Sequence, residues 1–177
     1  MENNNKVPLI HVGYPKTAST WLQQELFKPE FGFAAALNHL EIQLGINAPT
    51  PFRYNTAAIR ARFENNLAEE AGKTPVISSE TLSGNIYCGG YNARQNADRL
   101  YETFPQARIL IVTREQKSLI RSLYKTQVKW CMPHSIDRLL SPIQPAGRFP
   151  EFNLDYLRFD LIANYYRKLF GENNVLV

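Results

Sequence analysis

Cysteine is scarce in this sequence. Cys88 and Cys131 are the only two in 177 residues, and they stand far apart in no metal-ligand spacing. A disulfide scaffold is excluded, and a structural zinc site finds no support. Long apolar runs are also lacking, and none approaches the roughly 20 residues that span a bilayer. The opening stretch Met1–Lys6 is polar and Asn-rich, without the basic-then-apolar layout of a secretory leader. A cytoplasmic, soluble chain without a membrane span is therefore expected. A large excess of either charge is also lacking, with 20 Lys+Arg against 16 Asp+Glu for a formal net charge of +4. So small a surplus suits the holding of an anion, and no basic face with interleaved aromatics points to nucleic acid. Internal repeats and low-complexity segments are missing beyond the short Asn run.

What the chain does have is core material. Hydrophobic residues make up 44% and aromatics 12%, enough for one compact domain over residues 1–177. Short β-rich runs alternate with helical periodicity. Val7–Tyr14, Pro75–Ser79 and Arg108–Thr113 read as strands, the last apolar throughout as in a strand buried on both faces. Helices are expected over Thr20–Lys28, capped by Ser19 or Thr20, and over Thr56–Ala71, with Ile59, Phe63 and Leu67 inward and Gly72 as terminator. Further helices are expected over Asn92–Phe104, Gln116–Val128, and from an Asn153 cap to Phe170. Segments 31–56, 82–91 and 129–152 read as loops able to touch a substrate, 141–150 being the richest in proline. Asn174–Val177 begins a strand with no element after it, so the chain reads as the N-terminal part of a longer protein, truncated at its C-terminus. The class is α/β, a parallel sheet flanked by helices on both faces. Ligands of such sheets bind beyond the carboxyl ends of the strands, here after Val12, Ile77 and Val112.

The first of those strand ends carries Gly13-Tyr14-Pro15-Lys16-Thr17-Ala18-Ser19-Thr20-Trp21. Small and hydroxylated residues let backbone N–H groups converge at a helix start, Lys16 adds a full charge, and Ser19 and Thr20 add hydroxyl donors. This is a phosphate cradle. It is not a Walker A loop, because Lys16 comes early and no Gly-Lys-Ser/Thr closes it.

The loop resembles the phosphosulfate-binding loop of the sulfotransferase family, a Tyr-Pro-Lys-Ser-Gly-Thr-Thr-Trp type pattern. Tyr14, Pro15, Lys16, Thr20 and Trp21 match it, Thr17 and Ser19 are hydroxyl-for-hydroxyl replacements, and Ala18 stands where the family often has Gly. After the third strand, Arg114 and Ser122 lie eight residues apart, as do the family's Arg and Ser that hold the donor's 3′-phosphate. An Arg fork suits phosphate through bidentate, charge-assisted bonds. The resemblance implies a P-loop-like α/β fold and 3′-phosphoadenosine 5′-phosphosulfate as donor, with 3′,5′-ADP as product. Lys16 would stabilise the leaving group, Trp21 would stack near the adenine, and no metal is expected. The family's later Gly-rich, basic segment is absent here.

The acceptor's proton needs a base, which in the family is a strand-end His or, in many Golgi and bacterial relatives, a Glu. Glu80 ends the strand 75–79 on the same edge as Lys16 and Arg114 and takes that place. His11 lies inside a strand, His39 in a helical stretch and His134 in a loop, so all three compete poorly by position. The acceptor itself stays open between a glycan, a lipid-like alcohol and a small metabolite. Two other readings compete: a P-loop-type nucleotide kinase or NTPase, and a catalytically incomplete nucleotide-binding module.

Overall fold

A computed structural model describes residues 7–130, 135–141 and 152–177. Cys131, His134 and most of the expected 141–150 loop lie outside the described residues. Five strands form one all-parallel sheet in the order β2-β3-β1-β4-β5: β1 (Leu9–Gly13), β2 (Phe33–Leu37), β3 (Thr74–Ser79), β4 (Arg108–Val112) and β5 (Val175–Leu176). The α/β parallel-sheet expectation holds.

Alternation along the strands sets the two faces. Ile10 of β1 pairs in register with Ile77 of β3 and Ile109 of β4, and all three are buried in the main core. Against that face pack α3 (Thr56–Asn66), α4 (Ala93–Thr103) and α7 (Phe159–Phe170). Their buried side chains recur at helical spacing, as with Ile59 and Phe63, Ala97 and Leu100, or Ala163, Tyr166 and Phe170. The opposite face carries His11, which meets the Phe27 ring at 5.7 Å beside α1. That helix runs as an α turn over Ser19–Trp21 and continues in π register over Leu22–Leu26. Helices thus lie on both faces, as right-handed crossovers in both directions from β1 require.

Several boundaries differ from expectation. The segment 31–56 is no plain loop, because it holds the edge strand β2 and α2 (His39–Ile42), itself continued in π register over Gln43–Asn47. The Ala-rich run Phe33–Leu37 has weak β-propensity, and pairing with β3 overrides it. The predicted cap residues also shift: Ala18 is the N-cap of α1 and Ser19 its first residue, with no side-chain cap bond. Helix α3 stops at Asn66, whose side chain donates to the Ala36 carbonyl at 2.9 Å. Asn153 caps a 3₁₀ turn, Leu154–Leu157, ahead of α7. No helix among the described residues is long and apolar enough to cross a membrane.

Candidate active site

The carboxyl ends of β1, β3 and β4 lie side by side, because parallel pairing aligns Val12 with Ser79 and with Ile111. The residues that leave these strands therefore share one rim. At β1 the exit needs a glycine: a Cβ on Gly13 would stand 2.5 Å from Ser19 Oγ and 3.0 Å from His11 Cε1. The following loop holds two non-glycine residues in the left-handed region, Lys16 at φ 67° and Ala18 at φ 62°. Left-handed residues at alternate positions turn successive N–H groups toward one concave side, the pattern of an anion nest. Each costs an L-residue about 1–2 kcal/mol, and the loop keeps both. Inside the turn the buried Thr17 hydroxyl donates to the Tyr14 carbonyl.

At the β4 exit, α5 (Gln116–Lys129) is capped by Glu115, whose carboxylate accepts from the N–H groups of Lys117 and Ser118. These backbone bonds hold its pKa below the usual carboxylate range. Arg114, just before the cap, reaches across the rim. Its Nη1 donates to the Lys16 carbonyl at 3.0 Å and its Nε to Ser118 Oγ at 2.8 Å. Lys16 and Arg114 are thus brought together. Ser122 stands one turn beyond Ser118 on the same face of α5. Ser118 was not singled out by the sequence, although its spacing of four from both Arg114 and Ser122 carried the signal.

At the β3 exit, Glu80 opens a 3₁₀ turn over Glu80–Ser83 and is exposed. Ser79 caps the turn by accepting from Thr81 N–H at 3.2 Å. Ser83 then donates to the Gly13 carbonyl at 3.0 Å, tying the β3 and β1 exits together. Lys16 and Glu80 line one cavity of about 420 Å³, with Pro15 at its edge. No ion pair joins them among the described residues.

The remaining loop positions divide sharply. Thr20 is exposed and Trp21 is 58% exposed, so the tryptophan is no core anchor. Ser19 is buried, and its hydroxyl has no hydrogen-bond partner among the described residues. The Tyr14 ring, at the head of the loop pattern, is buried edge-on against Tyr156 and Phe159 at 4.9 and 4.7 Å. An aromatic side chain at that strand exit packs in the core, which leaves only the Tyr14 backbone to the loop.

His11 is fully buried, with Nδ1 2.8 Å from Ser78 Oγ, which also accepts from Gln23 Nε2 at 3.0 Å. Burial pushes its pKa down to about 4. The unfolded histidine titrates near 6.5, so between these values the unfolded chain binds more protons and stability falls as pH falls. Urea unfolding is expected to show about 3 kcal/mol less stability at pH 4 than at pH 7 from this group alone. A His11→Asn chain should lose that share of the slope, and an unchanged slope would count against it. His39 is the first residue of α2 and lines no part of the Lys16–Glu80 cavity.

Among the described residues no group of three or more His, Cys, Asp or Glu side chains could hold a metal ion. No family model and no curated protein matches the sequence. Among solved structures, the crystal structure of a sulfotransferase from Alicyclobacillus acidocaldarius matches with a TM-score of 0.62. The match covers 97% of this chain and 72% of that one at 16% identity. The chain therefore has the α/β, P-loop-like fold of a bacterial sulfotransferase.

Proposed function

We propose that this chain is a sulfotransferase that moves a sulfuryl group from 3′-phosphoadenosine 5′-phosphosulfate to a hydroxyl or amine. The observation that carries the reading is the meeting of Lys16 and Arg114 on one rim, 98 residues apart in sequence, with Glu80 lining the same cavity as Lys16. The residues fit such a donor. The loop keeps a nest-like backbone at a strain cost, and among the described residues neither the buried Ser19 Oγ nor Arg114 Nη2 has a partner.

The donor supplies an activated sulfuryl group: the acceptor oxygen bonds to sulfur as the S–O bond to the nucleotide breaks, its electron pair leaving on the 5′-phosphate. Positioning and charge stabilisation dominate such in-line transfers. Lys16 neutralises the charge that develops on the leaving oxygen. Glu80 takes the acceptor's proton. Arg114, with Ser122 and its neighbour Ser118, grips the 3′-phosphate, and Trp21 offers a flat face to the adenine. The backbone of Tyr14, Pro15, Thr17, Ala18 and Ser19, with the exposed Thr20 hydroxyl, cradles the 5′ end.

Titration calorimetry with 3′,5′-ADP tests this directly. The wild-type chain is expected to bind it, and Arg114→Ala to weaken binding by about tenfold or more, the worth of a charge-assisted contact. An unchanged affinity would reject the phosphate role of Arg114. A larger thermal shift with ATP–Mg²⁺ than with 3′,5′-ADP would overturn the donor reading in favour of a nucleotide kinase.

A further inference from the structure

The cavity that holds Lys16 and Glu80 has a wall whose chemistry is not that of an apolar alcohol pocket. Its volume, about 420 Å³, falls within the usual range for small ligands. Four side-chain amides line it, from Gln43, Asn47, Asn85 and Asn92. The orientations of the three asparagines follow from the bonds they already make. Asn92 Oδ1 accepts from Asn85 N–H at 2.9 Å, and Asn85 Oδ1 accepts from Tyr87 N–H at 3.0 Å. Both NH₂ groups are thereby left as donors without a partner among the described residues. Asn47 Nδ2 donates to Thr81 Oγ1 at 2.6 Å, while its Oδ1 is buried with no partner. The segment carrying Asn47 is held from below by the buried Arg99, which donates to the Ile46 and Pro49 carbonyls. The Asn85 and Asn92 amide groups are thus fixed at the wall as open donors.

Facing them is an aromatic surface. The Tyr87 and Trp130 rings lie 5.1 Å apart at 52°, and Trp130 is 59% exposed. Burial and the nearby Glu80 charge both push the Tyr87 hydroxyl up, so it stays a donor at neutral pH. Fixed charge is confined to Lys16 and Glu80 among the described lining residues, the first engaged by the donor and the second by the acceptor's reacting hydroxyl.

We infer that the acceptor is a neutral carbohydrate, with its apolar ring face on Tyr87 and Trp130 and its hydroxyls on the amides of Gln43, Asn85 and Asn92. This rests on the sulfotransferase reading and narrows its acceptor. Amide NH₂ groups donate to the lone pairs of neighbouring hydroxyls. A hydrocarbon-rich alcohol would bury these amides unpaired. An acidic acceptor would meet Glu80 with no cation to spare. A quaternary ammonium could use the aromatics and Glu80 but would leave the amides idle. In the transfer, one sugar hydroxyl gives its proton to Glu80 as its oxygen bonds to sulfur, and the S–O bond to the nucleotide breaks.

The test uses the chain saturated with 3′,5′-ADP, whose binding is first established by calorimetry. Saturation-transfer NMR is then run against maltose, N-acetylglucosamine, glucuronate, choline and 2-naphthol. Signal is expected from at least one of the two neutral sugars. Trp130→Ala should weaken that binding about tenfold or more, as loss of a buried aromatic anchor does, and Trp130→Phe should recover much of it. In turnover with the sulfuryl donor, Trp130→Ala should raise KM for the sugar and leave kcat near wild type. Absence of signal from both neutral sugars overturns the inference whatever the other acceptors do, as does unchanged sugar binding in Trp130→Ala. Failure of the wild-type chain to bind 3′,5′-ADP is a separate result that removes the donor reading itself.

Discussion

Replacing Lys16 by alanine is expected to lower kcat about 10²- to 10³-fold at saturating donor, the effect of removing one preorganised group that stabilises developing charge. The substitution is clean for a structural reason. Lys16 is exposed, and its backbone is fixed by its own carbonyl, which accepts from Arg114 at 3.0 Å. Alanine at φ 67° carries the same left-handed strain as lysine, so the loop keeps its shape while the ammonium is lost. Affinity for 3′,5′-ADP, measured by calorimetry, should change far less than kcat, because the charge matters most as the leaving oxygen becomes anionic. A kcat within threefold of wild type would take Lys16 out of the mechanism.

The second large effect is expected at Glu80. Glu80→Gln keeps the size and hydrogen-bonding shape of the side chain and removes only its capacity to take a proton. A general base of this kind contributes about 10²–10⁴-fold, and kcat should fall within that range. Its position does not depend on the carboxylate. The 3₁₀ turn that presents it is held by the Ser79 cap, by Ser83 on the Gly13 carbonyl, and by Asn96 Nδ2 on the Thr81 carbonyl at 3.1 Å. The variant should therefore fold as wild type and bind 3′,5′-ADP equally well. Full turnover by Glu80→Gln would require the base to be sought elsewhere on the cavity wall.

Much of the architecture was legible from short-range signals. The strands around Ile10, Ile77 and Ile109 are apolar enough to read as buried, and α4 declares itself through residues three and four apart. The edge strand β2 was not legible. Phe33–Leu37 is mostly alanine, and only its pairing with β3 and the burial of Ala34 and Ala36 make it a strand. The fate of Tyr14 was equally hidden. It lies within the loop pattern, yet Tyr156 and Phe159, from beyond residue 150, take its ring into the core.

The sequence by itself determined the class of sheet, the hydroxyl-rich loop after the first strand with Lys16 in it, and the eight-residue spacing from Arg114 to Ser122. These are properties of neighbouring residues, set by backbone propensity and helical repeat. Only the tertiary structure decided that Arg114 reaches the carbonyl of Lys16, that Ser118 is its immediate partner, and that Glu80 shares a cavity with Lys16. It also gathered Gln43 and Asn47, Asn85 and Asn92, and Trp130 from three separate connections into one wall. The physical reason is parallel pairing. In-register hydrogen bonding of β1 with β3 and β4 fixes which strand ends are neighbours, and hence which distant loops meet, and no local pattern in the chain encodes that register.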